Sequence, residues 1–241
     1  MTKLQIFLLH FAGGNCYSFD FLKRKINKEN VEVYSLELPG RGKRIDQPLI
    51  VDKNEAIRDY IAQIKKLRNG QPYIIYGHSM GATLGLSVVA QMEKDNDPPV
   101  KFVVSGNAGP GTEEKDQARE GIKWYLLPDE DFKVVIKELG GIPDEVIEND
   151  ELFDFFGPII RADFEILEKD PEFEQNLKIG VPVQAIMGNT EKLTEYIDNW
   201  KEYTTAHFKS RLLPGNHFFI YDHAEELVNI LLEHSITVTG V

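Results

Sequence analysis

The sequence contains little cysteine and no long hydrophobic run. Its 241 residues include a single cysteine, Cys16, so no disulfide can form within the chain, and this usage suits a reducing compartment. The apolar stretch at 4–9 is too short to cross a bilayer, and we interpret it as a first strand rather than a signal peptide. We therefore expect a cytoplasmic protein.

Positive charge is scarce as well. The chain has 27 Lys and Arg against 39 Asp and Glu, which gives a formal net charge of −12 at pH 7. Nucleic acids and anionic membranes would be repelled by such a protein, so neither is expected as a partner. Two short basic clusters could still meet an acidic partner or a phosphate. They are Arg41, Lys43 and Arg44, and Lys115, Arg119 and Lys123.

The common cofactor motifs are also missing from the sequence. It has no His and Cys cluster at zinc spacing and no glycine loop followed by Lys-Ser or Lys-Thr, so we expect no metal and no organic cofactor. No internal repeat, low-complexity tract or Gly-Ser linker divides the chain. Because an α/β chain of this length commonly forms one domain, we expect a single domain over 1–241.

What the sequence does contain is short apolar runs, several of them separated by segments of helical spacing. The runs, rich in β-branched and aromatic residues, are predicted strands: Leu4–Leu9, Val31–Leu36, Tyr73–Tyr76, Lys101–Val104, Val181–Met187 and Lys209–Leu213. The predicted helices include Glu55–Leu67, Ala82–Glu93, Leu193–Tyr203 and Ala224–Glu233. This pattern is typical of an α/β fold with a mostly parallel sheet flanked by helices.

One interval, 112–179, interrupts this pattern. It offers no good strand, but it shows helix signals from Pro128 to Gly140, after Pro143, and at Ile159–Lys169. The interval is acidic, yet it holds too many phenylalanines for a disordered linker. We predict a folded helical lid insertion over one end of the sheet.

The motif Gly-x-Ser-x-Gly stands at 77–81, directly after a predicted strand and before a predicted helix. Glycines on both sides of Ser79 remove Cβ atoms that would collide in a tight, strained turn. The serine would then stand above the sheet at a helix N-terminus, where developing negative charge is stabilised. In this context the motif marks the nucleophile of an α/β-hydrolase fold, and we predict that role for Ser79.

A serine hydroxyl needs a base, and a histidine on the loop after the last strand is well placed to supply it. His217 follows the turn at 214–216, whereas His78 is expected to be a packed histidine. An acid should follow the preceding strand, where Glu191 is the first carboxylate and Asp198 is a second candidate farther along a predicted helix. Glu191 and His217 give the chain order serine, acid, histidine.

Two backbone amides are needed to bind the oxyanion that forms during acyl transfer. One is the amide of Met80, the residue after the nucleophile. The other should come from the loop after the first strand, at 10–15, where we predict Ala12.

Five motifs, in order along nearly the whole chain, carry a resemblance to a known family. They are Phe-Ala-Gly-Gly at 11–14, Leu-Pro-Gly-Arg-Gly-Lys-Arg at 38–44, Gly-His-Ser-Met-Gly at 77–81, Arg-Ala-Asp at 161–163 and Pro-Gly-Asn-His-Phe-Phe at 214–219. With them the chain resembles the external, type II, thioesterases that accompany nonribosomal peptide and polyketide synthases. The roles of Ser79, His217, Ala12 and Met80 carry over onto matching positions. Where the family pattern is Gly-x-x-Asp, this chain has Glu191.

The resemblance implies removal of acyl groups from the phosphopantetheine arm of an acyl or peptidyl carrier protein, beneath a helical lid. Phosphopantetheine would then enter only as part of the substrate. Other hypotheses stay open: a small-molecule carboxylesterase, an acyltransferase or cyclase, and a non-catalytic carrier-docking module.

Overall fold

The computed structural model describes residues 3–26, 29–112 and 121–233. Its strands are β1 Leu4–Leu9, β2 Val31–Ser35, β3 Tyr73–His78, β4 Lys101–Ser105, β5 Val183–Gly188 and β6 Phe208–Leu213. Its α-helices are α1 Asp20–Lys23, α2 Lys53–Leu67, α3 Met80–Lys94, α4 Asp129–Leu139, α5 Asp144–Glu148, α6 Asp150–Glu168 and α7 Ala224–Leu232. Four 3₁₀ helices among the described residues cover Gly42–Arg44, Trp124–Leu126, Thr194–Tyr203 and Phe219–Tyr221.

The strands form one sheet in the order β2-β1-β3-β4-β5-β6, and every neighbouring pair is parallel. Helices cover both faces, because α2 and α3 pack into one hydrophobic cluster and α7 into another. The predicted fold class is therefore confirmed. In a parallel sheet the carboxyl ends of the strands meet at one edge, so the loops after β1, β3, β5 and β6 converge there.

Between β4 and β5 the described part of the chain contains helices and no strand. We call residues 124–168, which include α4, α5 and α6, the helical segment. Its buried apolar side chains form a cluster of their own: Phe132, Ile136, Ile147, Phe153, Ile160 and Phe164. Ala12, in the loop after β1, packs against this cluster, so the helical segment adjoins the carboxyl edge of the sheet. Residues 113–120 of the predicted insertion lie outside the described residues.

Two predicted helices differ from the observed ones. The helix predicted at Ile159–Lys169 begins much earlier, at Asp150, with the Asn149 side chain accepting the Leu152 amide as its N-cap. Pro158 lies inside this helix, where it removes only one backbone donor while the buried apolar face continues on both sides. The segment Thr194–Tyr203 is a 3₁₀ helix rather than an α-helix, and it follows Leu193 in the left-handed region.

No helix among the described residues combines the length and the apolar character needed to cross a membrane.

Candidate active site

Ser79 lies on the turn between β3 and α3. Its φ of 53° falls in the left-handed region, which residues with a Cβ rarely adopt, so the backbone is strained at this position. A Cβ on Gly77 would lie 2.0 Å from the Gly81 carbonyl oxygen, and one on Gly81 would lie 2.2 Å from the Leu9 carbonyl oxygen. The turn therefore requires both glycines, as the sequence predicts.

Glu191 and His217 are brought together by the loops after β5 and β6. The Nδ1–H of His217 donates to Glu191 Oε2 over 2.7 Å, and the other carboxylate oxygen accepts the Gly188 amide over 2.6 Å. Because both oxygens are engaged, the carboxylate is held in one orientation. Asp198, the second acid candidate, instead accepts a hydrogen bond from Ser210 Oγ over 2.6 Å.

These two loops are also joined by their backbones. The Thr190 amide and hydroxyl both donate to the Gly215 carbonyl, at 3.1 and 2.8 Å. The Gly215 amide donates to Asn189 Oδ1 over 3.1 Å, and a Cβ on Gly188 would lie only 2.3 Å from the Asn216 carbonyl oxygen. The contact between Glu191 and His217 is thus set by main-chain geometry and not by the two side chains alone.

His78, next to the serine, is a packed histidine, as expected. Its Nδ1 shares a hydrogen bond of 2.8 Å with Ser105 Oγ, and its ring centroid lies 5.0 Å from that of His217. Complete burial, with the neighbouring His217 as a smaller cause, holds the pKa of His78 well below its usual value. His78 therefore places a neutral ring beside His217.

The predicted oxyanion loop forms a tight turn. The Gly14 amide donates to the Phe11 carbonyl over 2.9 Å, and Gly13 occupies the left-handed region with φ of 76°. In such a turn the two central amides, those of Ala12 and Gly13, take no part in closing it. The Gly13 amide donates to Asp163 Oδ2 over 2.8 Å. Of the two central amides, that of Ala12 is therefore the one that can bind an oxyanion.

A cavity of about 470 Å³ brings the predicted site residues together. Ser79, Met80, Glu191, His217 and Ala12 all line it. Much of its apolar wall comes from the helical segment, with Trp124, Val135, Ile136, Leu139, Ile142, Ile160 and Phe164. A serine, a histidine paired with a carboxylate, and the two residues predicted to supply oxyanion amides thus line a space of the size that small-molecule sites commonly have.

The basic cluster at 41–44 is not the free surface patch that the sequence suggested. Arg41 is 1% exposed and forms a bidentate ion pair with Asp163, so it cannot meet a partner. Arg44 pairs with Asp59 through two hydrogen bonds of 2.6 and 2.8 Å. Lys43 and Lys123 are exposed, whereas Lys115 and Arg119 lie outside the described residues.

The pairing of Arg41 with Asp163 is a feature of the site that the sequence analysis missed. The two residues are separated by 122 positions, so no local spacing relates them. One signal was available in the sequence. Each residue belongs to a motif, at 38–44 and at 161–163, to which the predicted catalytic residues assign no role.

Comparison with known proteins identifies the family of this chain. The family model described as "Thioesterase domain" matches residues 4–234. The gramicidin S biosynthesis protein GrsT of Aneurinibacillus migulanus is 29% identical over 233 residues, covering 95% of this chain and 88% of that protein.

Solved structures give the same result. ClbQ, from the colibactin NRPS/PKS pathway, superposes with a TM-score of 0.86 at 27% identity, over 99% of this chain and 100% of that one. The type II thioesterase BorB, from the borrelidin biosynthetic cluster, has a TM-score of 0.83 at 25% identity, over 97% and 93%. The chain belongs to the thioesterase domain family, and it is a thioester hydrolase with the α/β-hydrolase fold.

Proposed function

We propose that this thioesterase removes acyl groups from the phosphopantetheine arm of a carrier protein that serves a nonribosomal peptide or polyketide synthase. The family membership supports the thioester chemistry. The carrier partner is supported by the similarity to ClbQ, which comes from the colibactin NRPS/PKS pathway. The natural substrate would then be an acyl thioester held on a protein-bound arm rather than a free ester.

In the proposed reaction the Ser79 hydroxyl attacks the thioester carbonyl and passes its proton to His217 Nε2. That nitrogen is buried and has no hydrogen-bond partner among the described residues, so it is free to accept the proton. Glu191 holds the opposite ring nitrogen and stabilises the imidazolium that forms. The Met80 and Ala12 amides bind the oxyanion.

The thiol of the arm leaves with the proton from His217, and the acyl group remains on Ser79. His217 then takes a proton from the water that attacks the acyl-serine, and it returns this proton to Ser79 Oγ as the carboxylic acid is released. This chemistry is complete without a metal or an organic cofactor, and phosphopantetheine enters only as part of the substrate.

The observation that carries the proposal is the hydrogen bond of 2.7 Å from His217 to Glu191 within the cavity that Ser79 lines. A protein that only docked carriers would not need a strained serine, an oriented histidine and a turn presenting an amide in one place. We therefore favour an enzyme over a docking module.

The test is intact-protein mass spectrometry of an acyl-loaded carrier protein incubated with the wild type, with Ser79→Ala and with Ser210→Ala. Ser210 is a half-buried serine on β6 that does not line the cavity, and it serves as the matched control. We expect the wild type and Ser210→Ala to strip the acyl group to the free thiol. Ser79→Ala should lose about 10⁵-fold or more of the rate, because the nucleophile is gone.

Other outcomes would favour the remaining hypotheses. Cleavage of simple oxygen esters without release of the carrier-bound acyl group would indicate a carboxylesterase. A transferred or cyclised product would indicate an acyltransferase or cyclase. Failure of Ser79 to react with a fluorophosphonate probe would support a non-catalytic module.

A further inference from the structure

We propose that the ion pair of Arg41 with Asp163 is a positioning device that holds the Ala12 amide of the oxyanion hole in place from helix α6. The inference rests on the proposed function, since it concerns the oxyanion turn of that same site. It assigns a role to two motifs that the reaction otherwise leaves unused.

The geometry begins with one carboxylate oxygen that accepts two hydrogen bonds. Asp163 Oδ2 accepts the Gly13 amide over 2.8 Å and Arg41 Nη1 over 2.5 Å, while Oδ1 accepts Arg41 Nη2 over 2.8 Å. Gly13 is the neighbour of Ala12 in the four-residue turn. The carboxylate therefore fixes the central peptide of the turn that presents the Ala12 amide to the cavity.

Packing reinforces the same contact. Asp163 and Ile160 lie three residues apart on α6 and so share one face of that helix. A Cβ on Gly13 would approach Ile160 Cγ1 to 3.0 Å, so the turn already lies close against that face. Helix α6 thus sets the position of the turn and of its Ala12 amide. Misplacement of a reacting group by about 1 Å can lower the rate about 100-fold.

Charge explains why a cation accompanies the carboxylate. Asp163 is fully buried, and an unpaired negative charge beside the oxyanion turn would oppose the oxyanion that the turn has to stabilise. Arg41, also buried, cancels that charge and makes a further contact of 3.4 Å to the Gly14 carbonyl. The pair thus supplies a hydrogen-bond acceptor to the turn without a net charge.

A second buried ion pair offers a matched control. Lys53 Nζ lies 3.0 Å from Glu174 Oε2, and both residues are at most 5% exposed. Lys53 also donates to the Asp170 carbonyl, and Glu174 accepts from Ser87 Oγ over 3.3 Å. No hydrogen bond among the described residues links this pair to an amide of residues 11–14. Its removal should change stability alone.

The experiment compares three variants with the wild type. The first is the double variant Arg41→Met, Asp163→Leu, and the second is the single variant Asp163→Asn. The third, the control, is the double variant Lys53→Met, Glu174→Leu. The first removes both charges and the acceptor for Gly13, and such replacement of a buried pair by apolar residues is often neutral for stability. Asparagine can keep an oxygen at the Oδ2 position for Gly13, but its amide nitrogen then faces Arg41 Nη2 as a second donor. Asp163→Asn should therefore have the lower melting temperature.

We expect Asp163→Asn to have the lower melting temperature but the higher kcat of the two variants at this ion pair. With a small soluble acyl thioester, kcat should fall about 10- to 100-fold in the Arg41→Met, Asp163→Leu variant and less in Asp163→Asn, with KM within about 3-fold. An acyl trifluoromethyl ketone, whose adduct with Ser79 carries an oxyanion, should lose affinity by the same factor as kcat/KM. The Lys53→Met, Glu174→Leu variant should retain kcat within about 2-fold.

Activity that follows melting temperature across the three variants would overturn the inference, as would unchanged kcat in the Arg41→Met, Asp163→Leu variant. If that variant does not fold, equal kcat for Asp163→Asn and wild type, with unchanged affinity for the ketone, would overturn it as well. A wild type that neither reacts with a fluorophosphonate nor hydrolyses the small thioester would overturn the proposed function itself. An active wild type that fails only on the carrier substrate leaves this test intact.

Discussion

The carboxyl edge of the sheet and the helical segment line the same cavity, but they are built differently. At the edge, Glu191, His217 and His78 are held by hydrogen bonds and by backbone contacts between loops. The helical segment contributes apolar side chains to the cavity, and several of its ion pairs are exposed, such as that of Lys137 with Glu148. Leu126 and Phe155 of this segment are themselves 67% and 54% exposed.

This difference assigns different tasks to the two regions. The edge fixes atoms that react, so changes there should lower kcat for every thioester alike. The apolar cavity wall that the helical segment supplies would surround the acyl group. Changes in that wall, unlike changes at Asp163, should alter which thioesters are preferred and leave the chemistry of short ones unaffected.

After the loss of the nucleophile itself, the largest effect is expected from Glu191. Glu191→Gln keeps the shape but presents an amide to His217, so the ring loses its oriented tautomer, and kcat should fall about 10³- to 10⁴-fold for short and long acyl groups alike. In Glu191→Asp, kcat should fall about 10- to 100-fold, because a shorter side chain cannot reach both the Gly188 amide and His217. Steady-state kinetics with an acyl-chain series measures both effects.

The control for this prediction is Asp198→Asn, which alters the second acid candidate and should leave kcat within about 2-fold of wild type. A larger loss in Asp198→Asn than in Glu191→Gln would mean that the acid has been assigned to the wrong carboxylate.

The next effect concerns His10, which follows β1 at this edge, and the pH dependence of the free energy of unfolding. Burial, with Arg41 as a smaller cause, lowers the pKa of His10 from 6.5 to about 4. Below pH 6.5 the unfolded chain takes up a proton on His10 that the native protein does not. The free energy of unfolding should therefore fall as the pH drops from 6.5 towards 4, by about 3 kcal/mol from this residue.

Urea unfolding between pH 4 and 7.5 measures this slope in wild type and in His10→Asn. Asparagine can retain the donor to the Phe11 carbonyl that His10 Nδ1 supplies, and it does not titrate in this range. The variant should be less stable at pH 7 but should show a shallower slope. An identical slope would mean that His10 is not the titrating group.

The edge was also the region that the sequence predicted well. Ser79, Glu191 and His217 each follow a predicted strand, and parallel strands bring such positions to one edge whatever the details of the helices. The strand pattern, the glycines at 77 and 81 and the chain order of the three residues sufficed to gather them.

The helical segment was predicted only in outline, for physical reasons. The helix predicted to begin at Ile159 begins at Asp150 and continues through Pro158, because the packed face outweighs one missing donor. The contact of Arg41 with Asp163 depends on how α6 meets the sheet, and that placement is a tertiary property that no local pattern contains. The size of the cavity follows from the same placement.

A smaller effect should come from the cavity wall of the helical segment. Val135→Phe adds a ring to α4 at a position that lines the cavity, so long acyl thioesters should lose about 10-fold in kcat/KM while acetyl thioesters change within about 2-fold. Val134→Phe is the matched control, because Val134 is the adjacent residue and is 57% exposed. Equal losses for all chain lengths would show that the segment also controls the chemistry.

The smallest effect is expected at Lys123, directly before the helical segment, where carrier docking would act on KM alone. Lys123 is exposed and stands next to Trp124, which lines the cavity. Lys123→Glu should raise KM for an acyl-loaded carrier about 2- to 5-fold at low salt, since carrier proteins of the proposed kind would present acidic residues and an exposed ion pair contributes only this much. Kinetics on a small thioester should be unchanged.

Lys178→Glu provides the comparison for this charge reversal. Lys178 is equally exposed but precedes β5, so it lies towards the amino ends of the strands, away from the reacting groups. If both reversals raise KM alike, the effect is that of the net charge of −12 becoming more negative, and Lys123 has no local docking role. If only Lys123→Glu raises KM, and added salt removes the difference, then the surface directly before the helical segment contacts the carrier while the cavity wall selects the acyl chain.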